Sequence, residues 1–304
     1  MSESLTEYED YDCVSKYYDN FRVPVGTDYI LNIVKDKFPN KNLKELSLLD
    51  CGCGTGNYLN ILSDHFGVCV GFEMNKGMYN TSSKKLEKKE NVKIINQSVL
   101  ELENNDNLKF DVAIITQVLH HLDDDTTNFK NLNTFLSQVS SLLKNDGLLI
   151  INTCNPEILK YGYWFFDLLP DHVVKQYCDK YAPIYLLTKY SAQNNLELFS
   201  TQNIYESTVK SQIYLDEFGV LNDNWRKCDS IWSLISNDDL SIVKDNVQKM
   251  IEKGSMKEYI NNCDKNRYKY GQTLFLTFNT TIPTPIRIGS ILFTIIYELK
   301  SFMA

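Results

Sequence analysis

Leu46-Ser47-Leu48-Leu49-Asp50-Cys51-Gly52-Cys53-Gly54-Thr55-Gly56-Asn57 is the stretch that decides the architecture. A short apolar run ends in a carboxylate, glycine at every second position makes a turn, and a helical pattern follows. Glycine has no Cβ and tolerates positive φ, so a ligand can approach such a backbone closely. The helix behind the turn offers unpaired N–H groups and the positive end of its dipole to a polar or anionic group. The spacing is Gly-x-Gly-x-Gly with Asn57 next, which departs from the Gly-x-Gly-x-x-Gly fingerprint that holds a dinucleotide pyrophosphate.

Outward from this turn, short apolar runs alternate with helical stretches, the pattern of a parallel sheet with helices on its faces. Strands are expected over 46–50, 68–72, 92–96, 110–116 and 148–153, and helices over 56–66, 76–89 and 127–144. Upstream, Val14, Tyr17, Tyr18 and Phe21 stand at helical spacing within 11–22, and residues 27–38 give a second amphipathic helix stopped by Pro39. Downstream, the spacing predicts a helix over 183–195 and strands over 196–205 and 272–279. The roughly 65 residues between those strands carry Trp225, Asp229, Trp232 and a helix capped by Ser236. No Pro, Gly or Ser linker separates this insertion, so it reads as a cap on the same domain. Sheets of this kind bind ligands at the carboxyl ends of their strands. Asp50, Glu73, Ser98 and Gln117 all fall at or just beyond such ends.

The formal charge of −8 over 304 residues, without a basic stripe, argues against a nucleic-acid backbone as partner. Eight scattered cysteines and an acidic N-terminus without an apolar signal core read as reduced thiols in a cytoplasmic protein. Cys51 and Cys53 have no partner pair at zinc-site spacing, so no metal is expected. The apolar run from Ile288 to Tyr297 is about half of a membrane span, so stable membrane insertion is not expected.

LLDCGCGTGNY, VGFEMNKGM, FDVAIITQVLHHL and LLKNDGLLIIN together resemble the class I S-adenosylmethionine-dependent methyltransferases, in particular the small-molecule branch called methyltransferase type 11. The resemblance covers about residues 11–154. It implies a Rossmann-like, doubly wound α/β sheet of seven strands, the last antiparallel, with a helical cap insertion. With the residue pattern downstream, the chain is expected to divide into N-terminal helices closing the site (1–45), a cofactor-binding core (46–154), a C-terminal part of the same domain (155–281, with the insertion at about 206–270) and an apolar tail (282–304).

The cofactor it implies is S-adenosyl-L-methionine. Gly52, Cys53, Gly54 and Gly56 would face its methionine part, with Asp50 orienting that end. Glu73 would accept both ribose hydroxyls, for which a carboxylate has paired acceptors. Met74 and Met78 would sandwich the adenine, with Ser98 or Val99 at its amino group, and Tyr18 would close over the site. Gln117 is the remaining cofactor contact. His120 and His121 are the candidate bases for an acceptor that is protonated at working pH. The acceptor is expected to be a small molecule, apolar or aromatic, roofed by the aromatic run 161–166 and the Trp225–Trp232 segment. Two other readings stay open: a cofactor-binding protein of the same fold without catalysis, and a nicotinamide-dependent oxidoreductase.

Overall fold

The computed structural model describes residues 18–101, 109–123, 128–227 and 229–281. Its centre is a seven-stranded sheet: β1 (Ser47–Cys51), β2 (Val68–Phe72), β3 (Val92–Ile95), β4 (Phe110–Thr116), β5 (Leu143–Thr153), β6 (Leu196–Ile204) and β7 (Thr273–Thr280). The strand order is β3-β2-β1-β4-β5-β7-β6. The first five strands are parallel, whereas β7 runs antiparallel to both β5 and β6. The expected seven-stranded, doubly wound sheet with an antiparallel last strand is therefore present. Strand order reverses between β1 and β4, and their carboxyl ends form the crevice that this topology offers a ligand.

Alternation along each strand feeds two cores. Leu49, Ala113, Ile115, Leu149 and Ile151 point to one face, where the helix Lys130–Leu142 buries Leu132, Phe135, Leu136 and Val139. Leu48, Val112, Ile114, Leu148 and Ile150 point to the other, against the helices Thr27–Lys37 and Asn57–Leu62. Strands covered on both faces read as continuous apolar runs, as β4 does with FDVAIIT.

Several boundaries differ from the sequence pattern for local reasons. β5 begins at Leu143 because Asn145-Asp146-Gly147 is absorbed as a bulge: Phe110 pairs with Leu143 and Val112 already with Leu148, with Asp146 at φ 64°. The helix after the glycine turn stops at Leu62 and the lysine-rich helix at Leu86, each shorter than expected. Of the helix expected over 11–22 only residues 18–22 are described, with Tyr18–Phe21 helical, and the apolar tail lies outside the described residues. No helix among the described residues is long and apolar enough to cross a membrane.

The aromatic run at 161–166 turns out mainly to build the interior of the cap. Phe165 stacks on Trp232 at 5.8 Å and meets Trp225 edge-on at 5.3 Å, and Trp164 donates its indole N–H to the Tyr214 carbonyl at 2.7 Å. All these rings are buried. The Ser236 hydroxyl caps the helix Asn237–Glu252 as expected, accepting from the Asp239 N–H at 3.1 Å.

Candidate functional site

A cavity of 640 Å³ opens at the carboxyl ends of β1, β2 and β4 and continues beneath the cap. That volume lies within the range of small-molecule and cofactor sites. One half is walled by the glycine turn, Glu73 to Met78 and Val99, the other by the end of β4 and residues of the cap.

In the first half the turn follows its glycines. Gly52, Gly54 and Gly56 have φ of 82°, 55° and 80°. A Cβ on Gly52 would stand 2.7 Å from Val118, whereas one on Gly54 would meet nothing within 4 Å. Gly52 is thus required for packing beneath the loop, while Gly54 leaves a ligand room. Glu73 holds the loop from across the crevice: its Oε2 accepts from Gly54 N–H at 2.9 Å and its Oε1 from Asn75 N–H at 2.7 Å. Burial pushes its carboxyl up, opposed by the N–H groups of Asn75, Gly54 and Met74. Met78 is buried on the wall, whereas Met74 is 71% exposed at the rim.

Tyr18, Gly52, Cys53, Gly54, Glu73, Met74, Met78, Val99, Gln117, His120 and His121 all line the cavity, so the structure brings most of the expected site residues together. Three expected contacts do not reach the wall. Gly56 faces inward, where a Cβ would strike Leu86 at 2.8 Å and Ser82 at 3.2 Å, so it serves helix packing. The Ser98 hydroxyl turns back to accept from Leu100 N–H at 3.2 Å, leaving Val99 on the wall. Asp50 lies beneath the surface, 1% exposed, and neither carboxylate oxygen has a partner among the described residues. Burial, reinforced by the charge of Glu73, pushes its carboxyl up to about 8. Its charge is felt by Cys53 and Tyr58, which do line the cavity.

In the second half, Gln117 sits immediately after β4 in the left-handed region, at φ 55°. Its side-chain N–H groups point to Asn152 Oδ1 at 2.7 Å and to Cys154 Sγ at 4.0 Å. His120 is 7% exposed, stacks on Tyr181 at 4.4 Å, and has no hydrogen-bond partner at Nδ1 among the described residues. Burial, followed by electrostatic repulsion from His121, Lys180 and Arg22, pushes its imidazole well below 6.5 and keeps it neutral at pH 7. His121 is exposed at the rim. Tyr163, Tyr177 and Tyr181 roof this half; Trp164, Phe165, Trp225 and Trp232, expected there too, face the cap interior instead.

Residues that sequence reasoning did not place at the site come from the N-terminal segment and from the insertion. Arg22 donates to Thr208 Oγ1 at 3.1 Å and lies 3.6 Å from Asp229. Burial pushes the Asp229 carboxyl up, while the Arg22 guanidinium and the Ile231 N–H oppose it. Asp19 ties the same N-terminal segment to the loop, accepting from Thr55 Oγ1 at 2.6 Å and from Lys85 Nζ at 2.5 Å, and its carbonyl accepts from Lys210 Nζ at 2.9 Å. The one sequence signal for this corner was a charged residue, Asp229, set between two tryptophans.

Comparison with known proteins fits this geometry. A family model described as "Methyltransferase domain" matches residues 49–151. The ubiquinone biosynthesis O-methyltransferase of Pelagibacter ubique is 26% identical over 239 residues, spanning 74% of this chain and 89% of that protein. Among solved structures, "Putative methyltransferase from antibiotic biosynthesis pathway" of Anabaena variabilis superposes with a TM-score of 0.62 at 14% identity, over 86% of this chain and 99% of that one. The N-methyltransferase NodS of Bradyrhizobium japonicum, solved with S-adenosyl-L-homocysteine, gives 0.52 at 9% identity, over 90% and 98%. At such identities the two structures speak to the fold alone.

Proposed function

Because the chain belongs to the class I S-adenosylmethionine-dependent methyltransferases, we propose that it transfers a methyl group to a small-molecule acceptor held between the end of β4 and the cap. The observation that carries this reading is the single cavity joining the glycine turn to the cap, with the partnerless Asp50 carboxylate beneath its floor. A buried acceptor pair without donors suits a ligand that brings a cation to the turn. Glu73 has lone pairs left after accepting from Gly54 and Asn75, enough for two ribose hydroxyls. Met74, Met78 and Val99 supply apolar surface for an adenine ring.

When bound, S-adenosylmethionine supplies a methyl carbon already activated by positive sulfur. What displacement at that carbon asks of the chain is alignment and exclusion of water. The tyrosine roof and the Arg22–Asp229 corner wall the acceptor half, and neutral His120 can take a proton from an acceptor that carries one. The aromatic walls favour an acceptor with a ring or apolar body. The acidic net charge speaks against nucleic acid as substrate, and free thiols at Cys51, Cys53, Cys69 and Cys154 suit a reducing cytoplasm.

Calorimetric titration with S-adenosylmethionine, S-adenosylhomocysteine and NAD tests the assignment. Binding of the two sulfur nucleosides and not NAD is expected. Failure of both up to about millimolar, far weaker than such a site supplies, overturns it.

A further inference from the structure

The Gln117 amide is held in one orientation by a chain of partners behind the cavity. Cys154 Sγ donates its hydrogen to the Gln272 carbonyl at 3.5 Å, so toward Gln117 the sulfur can only accept. The group facing it at 4.0 Å must then be Nε2, which also donates to Asn152 Oδ1 at 2.7 Å. Asn152 Nδ2 in turn donates to Thr273 Oγ1 at 3.0 Å. With both hydrogens of Nε2 committed, Oε1 is the amide atom that Gln117 has to offer a ligand. A left-handed backbone at a non-glycine residue, pinned by Gln117 N–H to the Asn152 carbonyl at 3.0 Å, sets this side chain where β4 ends. Nearby on the same wall, His120 Nδ1 is buried without a partner among the described residues.

We propose that Gln117 Oε1 accepts a hydrogen bond from the methyl acceptor, so that the cavity selects nucleophiles that carry a hydrogen, a hydroxyl or an amine, over thioethers, tertiary amines and carbon nucleophiles. The proposal deepens the methyl-transfer reading and rests on it. For a hydroxyl acceptor, the oxygen lone pair forms the new C–O bond while the C–S bond breaks and leaves its electron pair on sulfur. The proton remaining on oxygen then leaves to His120 and on to solvent. Gln117 cannot take that proton; by receiving its hydrogen bond it turns the other oxygen lone pairs toward the methyl carbon. Gln117 is thereby a contact of the acceptor and not of the cofactor.

Phenol, anisole and toluene have nearly the same shape beneath the tyrosine roof and differ in hydrogen-bonding capacity, which makes them suitable probes. Calorimetry is run on the protein saturated with S-adenosylhomocysteine, using wild type and Gln117→Met. In wild type, phenol is expected to bind about tenfold or more tighter than anisole, the scale of one hydrogen bond to an otherwise unsatisfied acceptor. In Gln117→Met that ratio is expected to fall below about threefold, with S-adenosylhomocysteine affinity retained and folding checked separately by circular dichroism. Equal binding of phenol and anisole to wild type, phenol failing to bind up to about 20 mM, or a ratio preserved in Gln117→Met overturns the proposal. So does a variant that folds but loses affinity for S-adenosylhomocysteine, since that returns the amide to the cofactor's side. Wild type failing to bind S-adenosylhomocysteine is a separate result and removes the methyl-transfer reading itself.

Discussion

Cofactor binding is expected to expel a proton from Asp50. Its carboxyl titrates near 8 because burial, and then the charge of Glu73, penalise the ionised form. At pH 7 it is therefore about nine-tenths protonated. A ligand ammonium brought near an aspartate lowers its pKa by about 1–3 units. A shift of about 2 leaves roughly a tenth protonated at pH 7, so about 0.8 of a proton is released on binding. The same linkage makes affinity rise by about a hundredfold in all, about 25-fold of it between pH 6 and pH 8, and level off on either side. The assay is titration with S-adenosylhomocysteine at pH 7 in buffers of different ionisation enthalpy, comparing wild type with Asp50→Asn. The ligand's own amino group titrates in both proteins, so the difference between them isolates Asp50. Proton release that is the same in the two proteins refutes the reasoning. The sign for stability follows from the same residue. Its folded pKa lies above the 3.8 of an ordinary carboxyl, so its contribution is complete below 3.8 and is lost as pH rises through 8. The stability advantage of Asp50→Asn over wild type should accordingly grow from pH 4 to pH 8 and then flatten.

Glu73→Ala should weaken S-adenosylhomocysteine binding by about 1.5–3 kcal/mol, the scale of hydrogen bonds to a charged group; an unchanged Kd in a folded variant would remove Glu73 from ribose binding. Gly52→Ala forces a Cβ to within 2.7 Å of Val118 and should lower stability in urea by about 1–3 kcal/mol, part of it recovered by adding Val118→Ala. Gly54→Ala meets no such neighbour, so its stability loss should be smaller and its main effect a weaker Kd; equal destabilisation by the two changes would contradict the separation drawn between these glycines. If His120 takes the acceptor's proton, the acidic limb of the kcat/KM profile lies below 6.5, and His120→Gln should remove that limb together with most of the rate.

The strands were the most legible part of the chain because burial on both faces leaves no room for polar residues. β2 and β4 begin and end where their apolar runs do. Glu73 was legible for a related reason: a carboxylate that closes an apolar strand next to a glycine turn has few structural uses. Depth was not legible. Asp50 and Glu73 occupy equivalent ends of neighbouring strands, yet one lies beneath the floor and the other on the wall, a difference set by the turn folding over β1. Aromatic direction was equally hidden, since Tyr163 and Phe165 share one short run while one faces the cavity and the other packs on Trp232. The strand expected over 148–153 starts earlier because pairing with β4 stands on either side of the bulge at Asn145-Asp146-Gly147, Phe110 with Leu143 and Val112 with Leu148. The Arg22–Asp229 corner joins residues about two hundred positions apart, and nothing local in either segment announces the other.

Asp19 has a kinetic consequence. One side chain, 36% exposed, grips the glycine loop through Thr55 and the neighbouring helix through Lys85, and its own carbonyl holds Lys210 of the cap. Ion pairs at such exposure are each worth at most about 1 kcal/mol, and breaking them exposes groups that water solvates well. The N-terminal segment is therefore fastened at several points, each of them weak. Fastenings of that kind release one at a time at little cost, so Asp19→Ala is expected to speed amide exchange in this segment while the sheet stays protected.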